Sequence, residues 1–413
     1  MDVVYERCAG LDIHKKLIVA CVLVSEAAGA PRKQIRSFGT MTGDLLALRA
    51  WLAEQGVQQI AMEATGIYWR PLYNVLEDAS WRLLLVNARH IKAVLGKKTD
   101  VRDCEWIAEL LRHGLLRASF VPDRAQREVR ELTRYRTSLV GERSAEVNRL
   151  QKTLEGANIK LASVASSILG VSGRQMLEAL VAGTTDPAAL AELARGRLRD
   201  KLPQLERALR GQFGDHQRFL VARQLAHIDH LDLLIEEVST EIAERLRPFE
   251  ELLERLDSIP GIGRRTAEML LAELGADLSR FPTARHLASW AGMCPGNQES
   301  AGKRQSGATR KGNRVLRATL VEAAHAVASK KDTYLSAQYH RLAARRGKKK
   351  AAVAVGHSIL VIAYYLLTRS ALYEDLGSTY FDQRDQARVE RRLVHRLQAL
   401  GYMVQLTPKA SAA

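Results

Sequence analysis

Four carboxylates stand at spacings that suit metal-assisted chemistry at a phosphodiester: Asp12 in GLDIHKK, Glu63 in AMEATG, and Asp100 and Asp103 in KTDVRD. Asp100 and Asp103 are three residues apart, which turns both toward one side of a helix. Asp12 and Glu63 each close a β-patterned run, so neighbouring strands would bring them into one crevice. Carboxylates converging from three elements repel one another unless cations neutralise them, and an oxygen-rich, thiol-free set suits Mg²⁺ or Mn²⁺. Two such ions activate an attacking oxygen and stabilise the leaving one. Taken singly, each acid also has a plainer use, Asp12 as a strand-end turn residue, Glu63 as the cap of the next helix and Asp100 as an N-cap.

A second constellation runs from residue 256 to residue 317. LDSIPGIGRRTAEMLLAELG (256–275) reads as a helix end, a PGIG hairpin and a second helix starting near Arg264, a helix-hairpin-helix-like unit. Gly261 and Gly263 permit the tight turn, and amides at a helix N-terminus can meet a phosphate. A dinucleotide fingerprint is disfavoured, because GIGRRT lacks the third glycine and follows a helix. WAGMCPGNQESAGKRQSGATRKGNRVLR (290–317) reads as a Gly/Ser loop entering a basic helix, with Lys303, Arg304, Arg310, Lys311, Arg314 and Arg317 as phosphate-backbone contacts. Ser300 lies between Glu299 and these cations, where a serine can attack phosphorus. It can equally hydrogen-bond a backbone group in a turn, and Ser306 competes for the same role.

Charge points to the same region. The 413-residue chain carries +16, with 46% hydrophobic and 26% charged residues, which excludes collagen-like or wholly disordered classes. Residues 301–350 hold fourteen Lys or Arg against Glu322 and Asp332, a net +12 in an eighth of the chain. Segregated positive charge is the footprint of a polyanion, because each cation laid on a phosphate releases condensed counterions. A solvated face kept for solubility does not require such segregation. An anionic membrane surface would want an uninterrupted amphipathic basic helix, and Gly347 interrupts the run Arg345–Lys350. The apolar stretch Ala351–Leu367 is broken by Gly356, His357 and Ser358, and is expected to be a buried helix. The N-terminus shows no signal or transit pattern, so a cytoplasmic protein is expected. Cys8, Cys21, Cys104 and Cys294 lie far apart without metal-ligand spacing and read as core thiols.

The elements that must position these residues follow from periodicity. Cys8–His14, Leu17–Ser25 and Lys33–Thr40 read as three strands in hairpin succession. A helix from Asp44 to about Gln55, a strand Gln58–Glu63, a helix Tyr68–Asp78, a strand Arg82–Val86 and a helix Asp100–His113 follow. Three antiparallel strands and then α, β, α, β, α is the order of a ribonuclease H-like α/β fold, in which the first and fourth strands are neighbours. From Pro122 to Glu155 a narrow apolar stripe predicts a long hairpin or coiled coil. Asn158–Arg199 reads as short helices and turns, and Leu202 to about Leu256 as a second long helical run. The expected division is 1–120 nuclease-like domain, 121–255 helical coiled-coil region, 256–345 α-helical domain with the hairpin unit and serine loop, and 346–413 basic segment and C-terminal helices.

Together AGLDIHKK, MEATGIYW, KTDVRDCEWIAELLRHG and the two long segments of the second constellation resemble the DEDD transposases of the insertion-sequence-110 family. The resemblance runs over most of the chain. It implies a RuvC-like nuclease domain whose metal-binding acids are Asp12, Glu63, Asp100 and Asp103, and a transposase domain whose nucleophilic serine is carried to Ser300; Ala301 stands where the family often has glycine. It further implies donor and target DNA as substrates, a structured noncoding guide (bridge) RNA, a coiled coil used for assembly, and a tetramer built from dimers. In that tetramer the acids of one protomer meet the serine of another. The setting would be bacterial and nucleoid-associated. A junction-resolving endonuclease using water, and a nonenzymatic nucleic-acid scaffold, are the rival readings of the same residues.

Overall fold

The structure, a computed structural model, describes residues 2–26, 30–64, 66–77, 81–87, 100–296, 298–300, 303–306, 308–309 and 311–407. It forms two compact units, Met1–Pro122 and Asp123–Ala413.

In the first unit five strands form one mixed sheet: β1 (Arg7–Ile13), β2 (Ile18–Val24), β3 (Arg32–Phe38), β4 (Gln59–Glu63) and β5 (Arg82–Val86). Their order is β3-β2-β1-β4-β5, with β1–β2 and β2–β3 antiparallel and β1–β4 and β4–β5 parallel, so the first and fourth strands are neighbours as expected. The uninterrupted apolar run of β2 is buried on both faces. One face packs Leu11, Ile13, Ile60 and Met62 against Leu48 and Leu52 of α1 (Thr42–Glu54) and Leu72 and Leu76 of α2 (Trp69–Leu76). The other packs Cys8, Cys21 and Ala61 against Cys104, Ile107, Ala108 and Leu111 of α3 (Asp100–Arg112). Arg32, Lys33 and Arg36 keep the β3 edge charged, which blunts pairing with another chain. Helix α1 begins two residues before the expected Asp44, because the Asp44 carboxylate reaches back to accept the Met41 N–H at 3.2 Å. All four cysteines are free, Cys294 only half-buried, and burial pushes the Cys8 thiol up to about 12.

The second unit is built on two long antiparallel helices, α4 (Arg124–Gly156) and α9 (Asp215–Leu246). Arg245–Glu128, Arg143–Asp232 and His227–Glu146 contacts step along them in opposite directions. The partner of the first coiled-coil stripe is thus the second helix of the same chain. Between them, α5 (Leu161–Val164), α6 (Val171–Ala182), α7 (Pro187–Ala191), a 3₁₀ turn (Gly196–Lys201) and α8 (Leu202–Leu209) close a small core over Leu150, Leu154, Leu225 and Ile228.

The expected single run Leu202–Leu256 is four elements. A side chain at Gly211 would lie 2.3 Å from the Ala157 carbonyl oxygen, so the chain turns there against backbone. Pro248, in the 3₁₀ turn Arg247–Phe249, separates α9 from α10 (Glu250–Asp257). The remaining helices are α11 (Arg264–Leu274), α12 (Ala284–Trp290), α13 (Arg314–Ala328), α14 (Tyr334–Arg346), α15 (Lys348–Arg369), α16 (Tyr380–Arg384) and α17 (Gln386–Ala399). Helix α15 has 22 residues and is long and apolar enough to cross a membrane, yet Ala351, Val355, Ile359, Leu360 and Ala363 are fully buried in this unit's own core, in line with the expected buried helix.

Candidate active site

The acids are positioned by strand register. β1 and β4 pair in parallel from Cys8↔Gln59 to Leu11↔Met62, and one further step puts Asp12 beside Glu63. By alternation both belong to the face that carries Cys8 and Ala61, the face covered by α3. Gly10 makes that cover possible: a Cβ there would meet the Cys104 carbonyl oxygen at 2.3 Å and the Ala108 nitrogen at 2.4 Å. Asp103 directly precedes Cys104 in the first turn of α3, where the helix dipole favours negative charge. Asp12 is 4% exposed and Asp103 half-buried. Asp100 opens α3, but its side chain lies outside the described residues.

His14 was not singled out from the sequence. Its Nε2 lies 3.1 Å from Asp12 Oδ2, with the ring partly exposed. The available signal was its position two residues beyond Asp12, the spacing that returns a side chain to the same side of a strand. Among the described residues no three His, Cys, Asp or Glu side chains are grouped closely enough to hold a metal ion. In kind, the carboxylate oxygens of Asp12, Glu63 and Asp103 fit a hard cation.

The serine segment is not the open loop expected. β6 (Gln298–Ser300) and β7 (Lys303–Ser306) form an antiparallel ribbon in which Ser300 pairs with Lys303 at the turn and Ser306 pairs with Gln298 toward the base. Below it the Pro295↔Thr309 bridge and the Gly296 N–H to Ala308 carbonyl bond, 2.8 Å, close a neck. At the root, Gly312 lies on the Ala291–Gly292 backbone so tightly that a Cβ would come within 2.4 Å of the Gly292 nitrogen. Of the six expected phosphate contacts, Lys303 and Arg304 belong to β7, Lys311 precedes α13, and Arg314 and Arg317 open that helix; Arg310 lies outside the described residues. The basic helix therefore starts only at Arg314.

The glycines of the hairpin unit have separate uses. Gly261, at φ +88°, sinks toward α13, where a Cβ would lie 2.8 Å from the Ala323 carbonyl oxygen. Only Gly263, the exposed N-cap of α11, faces open space. Arg264 beside it is bound to Glu250 and Glu268, and Arg264 holds the Glu250 carboxyl below the usual carboxylate range.

Two family models match the chain, one for DEDD-type IS110 transposases over residues 9–159 and one described as transposase IS116/IS110/IS902 family over residues 253–341. Together they span more than half of it. The chain is 29% identical to the transposase for insertion sequence element IS1111A of Coxiella burnetii, over 76% of this chain and 79% of the relative. It is 28% identical to a probable family 20 transposase of Pseudomonas aeruginosa, over 76% and 85% of the two chains. A pilin gene-inverting protein of Moraxella bovis is 30% identical over 29% of this chain and 38% of its own. These similarities place the protein among DNA-recombining enzymes of the transposase class. It belongs to the IS116/IS110/IS902 family of insertion-sequence transposases.

Proposed function

We propose that this transposase mobilises its own insertion sequence by cleaving DNA with a serine nucleophile and rejoining the strands without hydrolysis. The observation that carries the reading is the placement of Ser300 at the turn of an anchored ribbon, backbone-paired with Lys303 and followed by a cationic helix. In the proposed step Ser300 Oγ forms a bond to phosphorus and loses its proton, while the bridging oxygen of the DNA strand leaves and takes up a proton. The phosphodiester bond energy is kept in the serine–DNA link, so a free hydroxyl on another strand can displace the serine without ATP. Lys303, Arg304, Arg310, Lys311, Arg314 and Arg317 hold the DNA backbone and offset charge developing on the phosphate.

The sheet order and its parallel β1–β4–β5 half support reading the first unit as a ribonuclease H-like, RuvC-like domain. Asp12, Glu63, Asp100 and Asp103 would hold Mg²⁺, with Mn²⁺ as a substitute, and the ion when bound supplies Lewis-acid stabilisation of phosphate charge. A noncoding guide RNA, and a tetramer in which acids and serine come from different protomers, belong to the same proposal and rest on the family resemblance. The exposed run Arg345–Lys350, at the turn between α14 and α15, suits backbone contact with DNA or that RNA.

The test incubates purified protein with Mg²⁺, DNA spanning the element junction and RNA transcribed from the flanking noncoding region, then looks for a protein–DNA adduct under denaturing conditions. An adduct lost in both Ser300→Ala and Asp12→Ala is expected. Nicked DNA without adduct that persists in Ser300→Ala would instead identify a hydrolytic endonuclease, and an adduct surviving in Ser300→Ala but lost in Ser306→Ala would move the nucleophile to Ser306.

A further inference from the structure

Glu273 of α11 has no exposed surface, yet it is a carboxylate. Arg134 grips it with both Nε to Oε1, 2.7 Å, and Nη2 to Oε2, 3.0 Å, and Arg130 Nε stands 3.3 Å from Oε2. Arg130 Nη2 also donates to the Glu273 main-chain carbonyl at 2.8 Å. A buried carboxylate with two arginines needs no further donor for charge balance. It nevertheless accepts a 2.6 Å hydrogen bond from Asn313 Nδ2.

Asn313 is the hinge between ribbon and cationic helix. Its Oδ1 accepts the N–H groups of Val315 and Leu316, which caps α13 and leaves Nδ2 aimed at Glu273. The residue before it, Gly312, is pressed on the Ala291–Gly292 backbone, and the residue after it is Arg314. Every bond of the Asn313 amide is thus set by two fixed partners, the start of α13 and a carboxylate clamped by the long helix α4.

We propose that Glu273 is a positioning residue for the serine step: through Asn313 it sets where the Ser300 ribbon leaves the helical core and ties that point to Arg130 and Arg134 of the coiled coil. The inference rests on the reading of Ser300 as nucleophile. Its consequence is that the coiled-coil helix and the serine ribbon share one buried carboxylate, so a shift of α4 is passed to the ribbon root.

The test removes the donor and leaves the cap. Asn313→Ser keeps a capping oxygen without the Nδ2 donor, and Asn313→Asp keeps the capping oxygen but turns an anion toward Glu273. Under saturating DNA, both should slow adduct formation by on the order of 100-fold, the scale expected for about 1 Å of misplacement, while DNA affinity stays at the wild-type value. Should Asn313→Asp fail to fold, Asn313→Ser carries the test alone. Wild-type rates in these variants, or a rate that falls only in step with DNA affinity, overturn the inference. Absence of any adduct from the wild-type protein would instead remove the Ser300 reading, and this inference with it.

Discussion

A methyl group on Gly10 would meet the Cys104 carbonyl oxygen and the Ala108 nitrogen at 2.3 and 2.4 Å, backbone atoms that cannot swing aside. Gly10→Ala must therefore lift α3 from the sheet, and a loss of about 1–3 kcal/mol from the first unit is expected in urea unfolding, together with slower DNA cleavage under the proposed reading of Asp103 as a metal ligand, because Asp103 moves with the helix. In the second unit Arg136 and Glu268 are both 5% exposed and bonded at 2.7 Å, with Arg264 on the other Glu268 oxygen. Arg136→Met should cost about 3–5 kcal/mol, because it leaves a buried carboxylate short of a partner, and adding Glu268→Leu should return much of that; equal stability of the single and double variants would contradict this. His357 is half-buried, its Nδ1 has no hydrogen-bond partner among the described residues, and burial holds its pKa below 6.5. The unfolded chain accepts that proton near 6.5 while the folded chain resists it, so the contribution is intact above 6.5 and is lost as pH falls toward the folded value. The stability of wild type relative to His357→Leu should fall as pH drops below about 6.5, read by denaturant titration.

Lys348, Lys349 and Lys350 open α15, all exposed, where the positive end of the helix dipole repels them. Under the proposed function this charge serves contact with nucleic acid. Changing all three to Gln should raise thermal stability at low salt, by about 0.3–1 kcal/mol per residue, while lowering nucleic-acid affinity. The slope of log K against log salt should shrink by up to about 2.7 for duplex DNA. An unchanged slope would remove these lysines from the interface. The coiled-coil pair shows the opposite economy: its exposed ion pairs, such as Arg143–Asp232, are each worth about 0–1 kcal/mol, and the buried stripe through Leu139, Leu231 and Ile235 holds the helices together.

Each of the two units has cores of its own, the sheet flanked by helices on both faces in one and three helical clusters in the other. Calorimetry of the whole chain should resolve more than one transition, since the all-or-none approximation fails for multidomain proteins. Gly10→Ala should move one transition and Arg136→Met another. A single transition displaced equally by both changes would mean that the units unfold as one.

Local pattern alone determined a good deal here. The β-patterned runs Cys8–His14, Leu17–Ser25, Lys33–Thr40, Gln58–Glu63 and Arg82–Val86 made the strands legible, because period is a property of short segments, and their succession in the order of a ribonuclease H-like fold made β1 and β4 neighbours. The concentration of charge in residues 301–350 was equally open to counting. What local pattern could not carry are contacts between residues far apart in the chain. The break at Gly211 is made by the Ala157 carbonyl, and the use of Gly261 by α13. Ser300 is lifted onto a ribbon by a neck whose root presses Gly312 against Gly292. Glu273 and Asn313, forty residues apart, share no local pattern, and the fold brings them to 2.6 Å. A residue's period records which way it faces, and only packing decides what it faces.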